Sequence, residues 1–99
     1  MNNEDFEIRG NIAKALGSIG PDAKEAVPAL IRALKDEGSW VRESAAEALG
    51  RIKLNTKEAV VALTQALEDE NGDVRNSASE ALKRINIEAE TTEDTNFDF

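Results

Sequence analysis

Val41–Ile52 reads VRESAAEALGRI, and the same phrase returns on both sides of it. IRGNIAKALGSI starts 33 residues earlier at Ile8, and VRNSASEALKRI starts 33 residues later at Val74. A second phrase keeps the same offset: AVPALIRALKDE from Ala26 is answered by AVVALTQALEDE from Ala59. Self-similarity at such a period marks an array of supersecondary units, none of which can bury its apolar face alone. The unit has two parts, A and B, and the chain runs B, A-B, A-B, then a tail.

Both parts have helical spacing. In the middle B part, Val41, Ala45, Ala48, Leu49 and Ile52 recur at steps of three and four. In the first A part, Val27, Leu30, Ile31 and Leu34 do the same. One apolar stripe per segment is the pattern of a helix that packs one face. Strand-like alternation is absent, and the many alanines of the B parts favour helix and close approach of helix axes.

Start and stop signals agree with this division. Asp22 with Glu25, and Asn55 with Glu58, stand where an Asx side chain can accept first-turn amides. Gly20-Pro21 marks a break, and Gly38 and Asn71-Gly72 mark the A-to-B turns. Pro28 conflicts with an A helix that begins near Ala23: either that helix bends, or its regular part starts later. The expected organisation is an acidic lead at 1–7, a half repeat at 8–19, repeats at 22–52 and 55–86, and an acidic tail at 87–99.

Composition excludes much chemistry. The 99 residues contain no Cys, His or Tyr. Thiolate, imidazole and phenol are therefore unavailable as nucleophile, general base or metal ligand. The net charge of −8 comes from the two ends: Glu4, Asp5 and Glu7 in the lead, and Glu88, Glu90, Glu93, Asp94 and Asp98 in the tail. Residues 8–86 are balanced, so no positive field exists for a duplex. No run of apolar residues is long enough to cross a bilayer, and the polar start does not read as a secretory signal. A cytoplasmic setting is expected.

The units DEGSWVRESAAEALGRI and DENGDVRNSASEALKRI resemble the short HEAT-like repeats named after phycobilisome lyases. The resemblance covers roughly residues 8–86. It is looser in the third unit, with Ser79 for an alanine and Lys83 for the glycine, and looser again in the first. It implies an all-α, right-handed αα-superhelix of about five helices, with the B helices lining a concave face. It also implies an internal ladder of Arg9, Arg42 and Arg75 with Asp36 and Asp69. A fixed arginine beside a fixed aspartate ties neighbouring units by charge-assisted hydrogen bonds, and this explains the regular spacing better than a phosphate site does.

The positions that vary between units point to the binding surface. Opposite the apolar stripe of the B helices lie Gly10/Glu43/Asn76, Asn11/Ser44/Ser77, Lys14/Glu47/Glu80 and Ser18/Arg51/Arg84. The candidate partner surface is therefore Glu43, Ser44, Glu47, Arg51, Asn76, Ser77, Glu80 and Arg84, with an acidic middle and a basic edge. The plainer reading is that Glu47–Arg51 and Glu80–Arg84 are ordinary i,i+4 surface pairs. Trp40, whose counterparts are Glu7 and Asp73, is either a further binding anchor or a cover for the neighbouring turn.

The ends need partners of their own. The first B helix has no A segment before it in residues 1–7, so the N-terminal end is expected to be open. The tail carries Phe97 and Phe99 in a polar, acidic context. It reads as a linker, as a flap over an exposed end, or as a contact for another copy. The run Glu68, Asp69, Glu70 does not have the spacing of a calcium loop and reads as a solvated turn.

Together these features predict a non-enzymatic module that binds another protein and has no cofactor or metal. Self-association through the open end or the tail is a further expectation. Two other functions stand beside this one: an accessory subunit of a bilin lyase or other chromophore-handling complex, and a nucleic-acid-binding HEAT domain. The acidic middle row argues against the last.

Overall fold

The structure, a computed structural model, describes the backbone of residues 3–97 and the side chains of residues 5–86. Among the described residues there are five α-helices and one 3-10 segment, and no strand. They are α1 (Asn3–Ile19), the 3-10 segment Gly20–Ala26, α2 (Val27–Ala33), α3 (Ser39–Ile52), α4 (Lys57–Ala66) and α5 (Gly72–Phe97). The B segments form α1, α3 and α5, and the A segments form α2 and α4.

The conflict at Pro28 is resolved by a late start. Residues 20–26 wind as a 3-10 turn, kinked at Ala23, and Pro28 falls within the first two positions of α2. There its missing N–H costs nothing, because first-turn amides have no partner inside the helix. Val61 replaces it in α4, which runs ten residues without a kink.

Three boundaries differ from the sequence reading. The lead is not separate: α1 already begins at Asn3. The cap of α4 is Thr56, not Asn55, because the Thr56 hydroxyl accepts from the Ala59 amide at 3.1 Å. The last B helix continues through residue 86 as far as Phe97. At the two matching positions the chain instead turns left-handed, at Gly20 (φ 81°) and Lys53 (φ 62°). The expected roles of Phe97 and Phe99 lie outside the residues whose side chains are described.

The core is one apolar cluster shared by all the helices. Ala45, Ala46, Leu49 and Ile52 of α3, Leu30 and Leu34 of the α2 region, Leu63 of α4, and Ala78 and Ile85 of α5 are all buried. Burial of side chains such as Leu49, Ile52 and Leu63 contributes about 1.5–3 kcal/mol each. Leu16 and Leu82, the counterparts of Leu49, are partly buried against this cluster.

Candidate protein-interaction face

The B helices lie side by side, with α3 between α1 and α5. Glycine sets the distance. A Cβ placed on Gly17 would stand 2.9 Å from the Ala48 Cα, and one on Gly50 would stand 2.7 Å from the Ala81 Cα. The first two B helices thus each lay a glycine on the alanine of the next, at equivalent positions. The sequence reading notes the glycine of Ala-Leu-Gly as part of the repeat but assigns it no role; its role is this close approach.

The turns between A and B helices are clamped by two matching ion pairs. Arg9 Nε donates to Asp36 Oδ2 at 2.7 Å, and Arg42 Nε donates to Asp69 Oδ2 at 2.8 Å. The second nitrogen of each guanidinium reaches the other oxygen, making the pairs bidentate. The same carboxylates accept the backbone amides of Gly38 and Asn71. These contacts hold both aspartates below the usual carboxylate range, the arginine hydrogen bond being the largest cause. Arg75 departs from the expected ladder. It donates to the Asp69 carbonyl at 2.7 Å and, among the described residues, has no carboxylate at ion-pair distance. Arg42 makes the same carbonyl contact to Asp36, so Arg75 keeps the backbone half of the pattern.

Most of the surface residues nominated from the sequence converge. Glu43, Glu47, Asn76, Ser77, Glu80 and Arg84 line a groove of about 310 Å³ between α3 and α5, floored by Ala81. A smaller hollow of about 90 Å³ lies between α1 and α3, lined by Lys14, Ser18, Ser44, Glu47 and Arg51 among others. Glu47 forms the ridge shared by both, and Arg51 donates to it at 3.1 Å. Both members of that pair are half exposed, so it contributes only a few tenths of a kcal/mol. The equivalent pair, Glu80 with Arg84, is not closed among the described residues. Glu43 is pushed above the usual glutamate range, first by burial and then by the charges of Asp73 and Glu47.

Of the nominated residues, Ser44, Arg51 and Trp40 lie outside the larger groove, the first two lining the smaller hollow. Ser44 is buried, because α3 has a B helix on each flank and position 44 turns toward the floor of the α1–α3 hollow. Trp40 lines neither groove. Its ring lies across α1 at Gly10, where a Cβ would overlap Trp40 Cζ3 and Cε3. The cover reading names the neighbouring turn; the contact observed is with helix α1, and Trp40 keeps 38% of its surface exposed. Phe6 makes a similar contact over Gly38 while the Arg9 guanidinium sits 5.0 Å from its ring centre. A further hollow on the A-helix side, about 580 Å³ between α2 and α4, was not foreseen; it is lined by Val27, Pro28, Ile31 and Leu54.

A family profile of HEAT repeats matches residues 1–85. The chain belongs to the HEAT-repeat family. No curated protein matches it. HEAT repeats generally mediate protein–protein interaction. Among the described residues no cluster of three or more Asp or Glu could hold a metal ion, and no helix is long and apolar enough to cross a membrane.

Proposed function

We propose that this HEAT chain is a non-enzymatic scaffold that holds another protein against its B helices. The observation that carries the reading is the convergence of Glu43, Glu47, Asn76, Ser77, Glu80 and Arg84 on one groove. These positions vary between repeats, while the positions beneath them keep small residues. Three carboxylates with Arg84 at the edge suit a partner segment that presents lysine or arginine to the middle of the groove. The same acidic row disfavours nucleic acid.

We infer that the array is a right-handed αα-superhelix with a 33-residue unit. The two Arg–Asp pairs support the period, since each spans 27 residues and the second lies 33 residues after the first. The motif DEGSWVRESAAEALGRI supports the short, phycobilisome-lyase-type subclass. A reducing cytoplasm suits a chain without cysteine.

The test is affinity capture with the whole chain as bait, compared with the double variant Glu47→Lys, Glu80→Lys. Loss of the captured protein from the variant, with helical content unchanged, is the expected result. Retention of the partner at wild-type strength would overturn the assignment of this face.

A further inference from the structure

The two hollows of the B-helix face are one site met twice. Lys14, Ser44, Glu47, Ala48 and Arg51 line the hollow between α1 and α3. Their counterparts 33 residues on, Glu47, Ser77, Glu80, Ala81 and Arg84, line the groove between α3 and α5. Four of the five positions keep their residue type: serine, glutamate, alanine and arginine. The fifth inverts its charge, from Lys14 to Glu47. Glu43, whose counterpart is Gly10, gives the groove a further carboxylate. The lining of the hollow thus carries one net positive charge, and that of the groove two net negative charges.

In the hollow, Arg51 is tied to Glu47 at 3.1 Å. Lys14 is left as the cation with no carboxylate at ion-pair distance among the described residues. On the facing helix Ser44 is only 2% exposed, and its hydroxyl has no hydrogen bond to another described residue. A polar group so enclosed is stabilised when it gains a partner. An ammonium and a hydroxyl donor at one small hollow suit an anion. About 90 Å³ holds the head of one carboxylate side chain, whose single charge matches the lining. A phosphate, with about two negative charges, would exceed it and lie against Glu47.

Because α3 lies between α1 and α5, the two sites stand side by side across Glu47, one helix spacing apart. Packed helices are about 8–10 Å apart. A polyproline-II segment turns once in three residues and rises about 3.1 Å per residue, so residues i and i+3 share a face about 9 Å apart. A β-strand puts i and i+3 on opposite faces. A helix reaches the same span only at about i+7, with two turns of bulk resting on the Glu47 ridge. We propose that the B-helix face binds a polyproline-II segment of another protein with an acidic and a basic residue three apart. The carboxylate sits at Lys14 and Ser44, and the cation sits among Glu43, Glu47 and Glu80. This rests on the reading of the B-helix face as the partner surface, and adds what the partner must carry.

The test titrates the intact, isotope-labelled protein by NMR with two capped peptides, PPEPPKPP and its reverse order PPKPPEPP. PPKPPKPP and PPEPPEPP are the controls. The expected result is saturable amide shifts at both Ser44 and Ser77 with a mixed peptide, which binds about threefold tighter than either control. Lys14→Glu, at an exposed position, should reverse the preference, so that the lysine-only peptide binds tightest. Mixed peptides that bind no tighter than the lysine-only one would overturn the proposal and leave the basic partner of the groove standing. An unchanged preference in Lys14→Glu would do the same. Tighter binding of a helical peptide with the two charges seven residues apart would make the occupant a helix and also overturn it. Shifts at neither Ser44 nor Ser77 with any peptide would overturn both the proposal and the B-helix face as the binding surface.

Discussion

Gly10 and Trp40 share one space: the indole ring of Trp40, at the start of α3, lies where a side chain on Gly10 of α1 would be. The pairing is specific to this unit. One repeat later the two positions are Glu43 and Asp73, which repel each other and help raise Glu43 above its ordinary range. An aromatic against a glycine in one unit and two acids in the next make the B-helix face uneven along its length. Gly10→Ala should therefore push the ring outward. Trp40 is the only tryptophan, so its emission should shift to the red, with a loss of about 1 kcal/mol in denaturant unfolding.

Gly50→Ala tests the helix spacing. The added methyl would meet the Ala81 backbone, which cannot swing aside, so a loss of about 1–3 kcal/mol is expected in chemical denaturation. Lys83→Ala, at the matching position of α5, should change stability by no more than about 0.5 kcal/mol.

The Arg–Asp clamps predict an acid limb. Asp36 and Asp69 have lowered pKa values in the folded chain, through the arginine hydrogen bonds above all. Their contribution is complete above the unfolded aspartate range and is lost as pH falls through the lower folded values. Stability should thus drop below about pH 4. Asp69→Asn should flatten that limb and cost about 2 kcal/mol at neutral pH, as followed by thermal melts across pH.

Glu43 carries the opposite sign. Burial and its acidic neighbours raise its folded pKa, so its contribution is complete below the unfolded value and is lost as pH rises through the folded one. Glu43→Gln removes that loss. The expected gain is roughly 0.5 kcal/mol at pH 7, vanishing in melts near pH 4.

Lys53 ends α3 in the left-handed region at φ 62°, where Gly20 stands in the preceding unit at φ 81°. Lys53→Gly should relieve the crowding at Cβ and raise the melting midpoint by the equivalent of about 0.5 kcal/mol.

Much of this was legible in the chain itself. The recurrence of VRESAAEALGRI placed the B helices, and the steps of three and four between Val41, Ala45, Ala48 and Ile52 named the buried stripe. Periodicity reports burial because a helix turns at a constant rate and one side must meet the core. The partners of Arg9 and Arg42 were legible too, through the resemblance to short HEAT-like repeats.

What the chain could not declare is how many sides of a helix find a neighbour. Ser44 reads as a surface residue on the wheel of α3, yet it is buried, because a second B helix closes that flank. Ile12 and Ala45 hold the same place in the repeat, yet one is open and the other enclosed. Asn86 matches the left-handed residues Gly20 and Lys53, yet α5 passes through it as helix. A residue's type and spacing set which way it points along its own helix. Whether water or another helix waits there depends on the packing of all five, and that was decided only in three dimensions.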